Sequence, residues 1–261
     1  MLRFGLIGEK LGHSLSPQIH ADIFKETSFD GEYKLYEIPR ENLSEIRRFM
    51  TDNQLSGINV TIPYKQEIMP FLDKISAEAL QIGAVNTVVL KNERLLGFNT
   101  DYFGFGEMLG FHSIAFENMP VVVLGNGGAA KAVVSYLSNN GAGKVYIASR
   151  KSSESPSVIS YEQIMTLENY LLVNTTPVGM FPNVDESPVT EDVIKNSYAV
   201  VDLIYNPKVT RIMKMAEKLK KPSCNGMFML VAQAVKAEEI WRDTQFSDYL
   251  TQTVYKMQSR G

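Results

Sequence analysis

The chain has 261 residues, with 26 Lys and Arg against 29 Asp and Glu and a formal charge of −3 at pH 7. That length holds one large domain or two small ones, and 44% hydrophobic with 21% charged residues leaves enough apolar surface for a proper core. The acidic balance, with a pI near 5.7, argues against a nucleic-acid binder working through a general basic surface.

The first part of the chain alternates strands and helices. RFGLIG (3–8) predicts a short apolar strand. SPQIHADIFKE (16–26) predicts a helix with Ser16 as N-cap, Pro17 at the first helical position and Ile19, Ile23 and Phe24 as its buried stripe. EYKLYEIP (32–39) is a second strand, and NLSEIRRFM (42–50) a helix capped by Asn42. GINVTIP (57–63) is a third strand, stopped by Pro63, which has no N–H to give a ladder. TVVLKNERLLGF (87–98) predicts a hairpin around residues 91–94.

A new α/β unit starts near Pro120. VVVL (121–124) is fully apolar, and a helix follows over 128–139. VYIASR (145–150), YLLVNTT (170–176) and AVVDLIY (199–205) are three further apolar strands, and KSSESPS (151–157) is a polar loop. Continuous rather than alternating apolarity predicts strands buried on both faces, hence a parallel sheet covered by helices. The tail reads as helices over 227–242 and 246–258. The helix-like YFGFGEMLGF lies in the stretch 102–119 that bridges the two domains.

The lone cysteine, Cys224, excludes an internal disulfide framework and points to a reducing compartment. Three scattered histidines, His13, His20 and His112, argue against a Cys/His zinc site, and no metal is expected. The N-terminal apolar run is too short for a secretion signal, and none reaches the roughly 18 residues of a membrane helix. A soluble, cytoplasmic protein is expected.

The second unit opens VVVLGNGGAAKAVVSYL, in which Gly125, Gly127 and Ala130 fit G-x-G-x-x-G/A between a strand and a helix. Gly125 lets the strand turn tightly, and Gly127 lets backbone approach a pyrophosphate. Ala130 lets the helix pack close to the sheet while its N-terminus offers N–H groups to the phosphates. The competing reading is an ordinary glycine turn; the strand–loop–helix setting favours a Rossmann-like domain. After the next strand comes IASRKSS, with Ser149, Arg150 and Lys151 but no acid until Glu154. An NAD binder normally carries an acid there for the ribose hydroxyl, whereas two cations and a hydroxyl suit a 2′-phosphate. NADP is therefore expected.

In the first part, polar groups stand just outside apolar runs: Ser14 and Ser16, Thr61 and Lys65, Asn86, and Asn99 with Asp101. Each has a plain structural reading, since Ser16 suffices as an N-cap and the asparagines as turn formers. Together they offer hydroxyls, amides, one ammonium and one carboxylate, which suits a polyhydroxylated acid.

Eight motifs carry a resemblance over nearly the whole chain, in order: GEKLGHSLSPQIH, GINVTIPYK, GAVNT, GFNTDYFG, VLGNGGAA, NTTPVGM, DLIYNP and GMFMLVAQA. Together they resemble the shikimate dehydrogenase family. The resemblance implies NADP-dependent reduction of 3-dehydroshikimate to shikimate, on the chorismate route to aromatic amino acids. It implies substrate contacts at Ser14, Ser16, Thr61, Lys65, Asn86, Asp101, Tyr205 and Gln233. It implies cofactor contacts at Gly125, Asn126, Gly127, Gly128 and Ala129, at Ser149, Arg150 and Lys151, and at Leu203 and Gly226. The implied fold is α/β with a substrate domain over 1–103, a Rossmann-like NADP domain over 104–225, and helices over 226–261 returning to the first domain. Lys10, Ala21, Ser149 and Lys151 depart from the family pattern. Lys65 is the implied general acid/base: reducing a ketone by hydride leaves an alkoxide that needs a proton. A lysine titrates near pH ~10.4 in peptides, so partial burial favours the task and Asp101 opposes it; Asp101 is given an orienting role.

Three other readings stand beside this one. A quinate/shikimate dehydrogenase would share the motifs, and a methylenetetrahydrofolate dehydrogenase would share the two domains and a lysine. A non-catalytic NADP-binding redox sensor would keep the fold without the chemistry. The serine pair and the NTD loop favour shikimate over folate, and retention of Lys65 with Asp101 favours an enzyme.

Overall fold

The computed structural model describes residues 1–12, 14–149, 155 and 157–260. The chain divides into two compact units, Met1–Gly104 with Leu230–Gly261, and Phe105–Met229.

The first unit contains, in chain order, β1 (Leu2–Gly8), α1 (Ser16–Glu26), β2 (Gly31–Glu37), α2 (Ile46–Asp52), β3 (Leu55–Val60), β4 (Lys74–Ile75), α3 (Ala77–Ile82), β5 (Thr87–Lys91) and β6 (Arg94–Phe98). α4 (Thr100–Phe111) starts in this unit and ends in the next. The strands form one sheet in the order β2-β1-β3-β5-β6-β4. β1 runs parallel to β2 and β3, while β5 is antiparallel to both β3 and β6. Both faces are covered, which explains the near-continuous apolar run of β1. One face packs Ile7, Ile58 and Val60 against Leu43, Ile46 and Met50. The other packs Phe4 and Leu6 against Phe24, Tyr33 and Trp241.

The second unit carries β7 (Val121–Leu124), α5 (Gly128–Asn139), β8 (Val145–Ala148), β9 (Val158–Ile159), α6 (Tyr161–Ile164), β10 (Tyr170–Asn174), α7 (Glu191–Asn196), β11 (Ser197–Asp202), α8 (Arg211–Lys218) and β12 (Ser223–Cys224). Its sheet is parallel throughout, in the order β12-β11-β10-β7-β8-β9. β7 and β10 are buried along their whole length, as their unbroken apolar sequences predict. α9 (Met227–Arg242) and α10 (Asp248–Arg260) end the chain. α10 lies along α1, where Gln258 Nε2 donates to Asp22 Oδ2 at 2.6 Å. The two-domain α/β expectation, with its returning helices, agrees with this architecture. Among the described residues no helix is long and apolar enough to cross a membrane.

Local departures have local causes. Ser16 is not the N-cap of α1: Leu15 holds that position without a side-chain bond, and Ser16 is the first helical residue. Ser14 takes over the satisfying role, its Oγ accepting from Ser16 N at 3.2 Å. Asn42 caps nothing either. It lies inside a 3₁₀ turn over Arg40–Glu45 that precedes α2, because the chain leaves the extended Pro39 by closing Asn42 N onto its carbonyl. β3 ends at Val60 rather than Pro63. The hairpin turns at Asn92 and Glu93, with φ of 50° and 60°, the left-handed pair that matches strand twist. The cofactor positions Arg150 and Lys151, and most of the KSSESPS loop, lie outside the described residues.

Candidate functional site

The mixed sheet of the first unit decides which loops meet. β1 and β3 run one way and β5 runs back, so residues following β1 and β3 lie at the same edge as residues preceding β5. β6 then returns residues 99–101 to that edge. The serine, lysine, asparagine and aspartate loops of the sequence are therefore brought to one end of one sheet.

Lys65 is held from both sides of its own backbone. Tyr64 is fully buried and donates from its hydroxyl to Ile38 O at 2.5 Å. The Lys65 carbonyl accepts from Val85 N at 2.7 Å. Fixed in this way, the side chain places Nζ 2.5 Å from Asp101 Oδ2, with 16% and 9% of the two side chains exposed. Asp101 lies in the first turn of α4, where the N-terminal dipole favours a carboxylate. Thr61 is half-buried, its backbone N donating to Ile7 O at 3.0 Å.

Asn86 and Gln233 are joined through a residue the sequence reading passed over. Asn86 Oδ1 accepts from Thr100 N at 2.7 Å, and Asn86 Nδ2 donates to Thr100 Oγ1 at 3.0 Å. Thr100 Oγ1 also reaches Gln233 Oε1 at 3.3 Å. Asn99 Nδ2 donates to Ala84 O at 2.9 Å, so this asparagine secures the turn.

Asn59 and Tyr33 were missed as well. Asn59 is buried within β3, its Nδ2 donating to Asn86 O and Thr87 Oγ1 and its Oδ1 accepting from Tyr33 Oη at 2.8 Å. Burial first, then the Glu238 carboxylate, raise the Tyr33 phenol well above its usual range, so it stays protonated and donates. A polar chain thus runs from Tyr33 through Asn59, Thr87, Asn86 and Thr100 to Gln233. An asparagine inside an apolar strand, as in GINV, was the one signal that could have exposed it.

In the second unit, Gly125 adopts φ +101°, and a Cβ there would lie 2.9 Å from Thr175 Oγ1. Both facts require glycine. A Cβ on Gly127 would meet nothing within 4 Å, so open space lies beside this backbone. Gly127 is the N-cap of α5, and Ala130 is buried on its sheet-facing side. Gly128 opens that helix and Ala129 follows, with Asn126 exposed at the loop tip. β7 lies between β8 and β10, which puts the loop at the reversal of strand order where α/β sheets take ligands. Ser149 directly follows β8. Leu203 and Tyr205 lie just beyond β11. Burial raises the Tyr205 phenol above its ordinary value. A Cβ on Gly226 would collide with the Leu203 carbonyl, which fixes glycine at that position.

The comparisons with known proteins agree with one another. Residues 6–88 match the family model described as "Shikimate dehydrogenase substrate binding domain". A protein of Clostridium beijerinckii called "Shikimate dehydrogenase (NADP(+))" is 48% identical over 261 residues, 97% of each chain. The crystal structure of shikimate dehydrogenase 1 from Peptoclostridium difficile superposes with a TM-score of 0.92 at 42% identity, covering 98% of this chain and 97% of that one. Shikimate 5-dehydrogenase from Thermus thermophilus, solved in complex with NADP(H) and shikimate, gives 0.86 at 32% identity over 98% and 99% of the two chains.

Proposed function

Because the chain belongs to the shikimate dehydrogenase family and is an NADP-dependent oxidoreductase, we propose that it interconverts 3-dehydroshikimate and shikimate with Lys65 as the group that moves the proton. The observation that carries this reading is the 2.5 Å pairing of Lys65 with Asp101 at the end of the first sheet.

The residues fit a dinucleotide. Gly125 is bent as only glycine tolerates, Gly127 has open space beside it, and α5 begins there. Residues 125–129 would hold the pyrophosphate. Arg150 and Lys151, outside the described residues, are assigned to the 2′-phosphate from their sequence position. NADPH supplies the hydride when bound.

Lys65 hands a proton to the ketone oxygen as that oxygen becomes an alkoxide. In the reverse direction the neutral amine takes the proton from the alcohol. The side chain keeps 16% exposure, enough for water to restore the ammonium between turnovers. Asp101 accepts from Nζ and aims it. Ser14 and Ser16, at the start of α1, are assigned to the substrate carboxylate, where N–H groups and the helix dipole favour an anion. Asn86 and Gln233, tied to each other by Thr100, are assigned to ring hydroxyls, and Thr61 and Tyr205 complete the substrate set.

The test is oxidation of NADPH, followed by absorbance, in the presence of 3-dehydroshikimate. Turnover that disappears in Lys65→Ala is the expected result. An inactive wild-type chain that still binds NADPH would favour the redox-sensor reading instead.

A further inference from the structure

Asp202 is sealed from solvent at the end of β11, with no cation among the partners that hold it. Its Oδ1 accepts from Asn174 Nδ2 at 2.9 Å and from Ile204 N at 3.1 Å, and its Oδ2 accepts from Thr210 Oγ1 at 2.6 Å. Every one of these donors is neutral. Thr210 stands at the N-cap of α8 yet makes no side-chain cap bond; its hydroxyl serves Asp202 instead. Burying a carboxylate against neutral groups is costly, and a neutral amide could bridge the same loops. That points to a use for the charge.

The position supplies one. Asn174 ends β10, the neighbour of β7, and its Oδ1 accepts from Thr176 N at 3.0 Å and Thr176 Oγ1 at 2.7 Å. Thr175 Oγ1 donates to Leu124 O at 2.6 Å, directly before Gly125. On the other side, Ile204 and Thr210 bracket the segment bearing Tyr205, and Leu203 directly precedes it. Leu203 N donates to Asn174 O at 3.0 Å, and Gly226 N to Ile204 O at 3.1 Å. Hydrogen bonds, joined by the backbone between Asn174 and Thr175, thus link the glycine loop to the start of α8.

We propose that Asp202 is a positioning residue for the dinucleotide, its carboxylate holding segment 203–210 in register with the glycine loop. The proposal rests on the reading in which residues 125–129 and Leu203 contact NADP. The device is sensitive to acid: burial, only partly offset by the three donors, pushes the carboxyl up to about 6. The groups facing it do not titrate in that range. Cys224 on β12 is pushed up to about 12 by burial and by Asp202 itself, and Tyr205 is a neutral phenol. Lys208 is exposed, and the Arg211 guanidinium is bonded to the Asp185 carbonyl.

The experiment is calorimetric binding of NADP⁺ to the whole chain at pH 8 and pH 5, for wild type, Asp202→Asn and Thr210→Val. Asp202→Asn should bind about tenfold more weakly than wild type at pH 8. The gap should close to within about twofold at pH 5, since a protonated Asp202 then resembles the amide. Titration of the 2′-phosphate affects both proteins and cancels in their ratio. Thr210→Val, which leaves Asp202 in place, should also weaken binding severalfold at pH 8. A ratio that is the same at both pH values overturns the proposal, as does wild-type affinity in Thr210→Val. A wild-type chain that binds no NADP⁺ at either pH overturns the dinucleotide reading itself, and this proposal with it.

Discussion

His20 Nδ1 meets Glu238 Oε1 at 2.7 Å, with both side chains wholly buried and 218 positions apart in the chain. His20 lies on α1 and Glu238 on α9, and the Tyr33 ring stacks on the imidazole at 3.9 Å between centroids. Removing one member of such a pair leaves the other polar group buried alone, which costs about 1–3 kcal/mol. Glu238→Ala should therefore lose that much in chemical denaturation, and His20→Ala a similar amount. A loss under about 1 kcal/mol in both would mean that the pair does not hold the first unit together.

Lys65→Ala should lower kcat by about 10²- to 10⁴-fold, the usual worth of general acid/base help. NADP affinity should stay near wild type, because the lysine and the glycine loop belong to different units. Near-normal kcat in this variant would remove Lys65 from the mechanism.

Replacing Ser14 and Ser16 together by alanine should raise KM for shikimate far more than KM for NADP. Ser14 Oγ accepts from Ser16 N, so part of the damage will be to the start of α1, and thermal unfolding belongs beside the kinetics. Equal increases in both KM values would point to misfolding in place of a lost carboxylate contact.

Arg150→Ala addresses cofactor choice. A guanidinium bonds a phosphate with a planar fork that lysine lacks, and bonds to charged groups contribute roughly 1.5–3 kcal/mol. NADPH should bind about ten- to a hundredfold more weakly, with NADH much less affected. Lys151→Ala should do less, because an ammonium in a polar loop is more screened. Equal weakening of both cofactors would leave Arg150 supporting adenine or fold, with no part in reading the phosphate.

Sequence reached the elements whose signals are local. α5 and α9 follow from apolar periodicity, and the β5–β6 turn follows from its place between two apolar runs. β7 and β10 were legible because a strand buried on both faces reads as a near-continuous apolar run. What escaped was polar and non-local. Asn59, Thr87 and Thr100 look like strand and turn residues until the sheet order brings them together, and Asp202 looks like the end of an apolar strand. His20 fits a helix stripe as well as any leucine would, and nothing near it in the chain announces Glu238. Ser16 misled in a different way. A serine before a proline is a good helix start, but here Ser14 satisfied the free N–H and Ser16 moved inside.

The first unit is built from two separated stretches of chain, residues 1–104 and 230–261, and this sets an order of assembly. Trp241, on the last stretch, stacks on Phe4 at 4.7 Å and donates to Val88 O at 3.0 Å, and it packs so tightly on Gly57 that a Cβ there would collide with its ring. During synthesis the domain made first ordinarily folds first. Here the unit that begins first cannot close until residues 230–261 have been made, while Phe105–Met229 is already complete. Until then the newborn chain lacks the Trp241 ring that covers Phe4 and Tyr33. Conditions that stall the ribosome before residue 241 should release aggregation-prone chains in which Phe105–Met229 is folded and Met1–Gly104 is not.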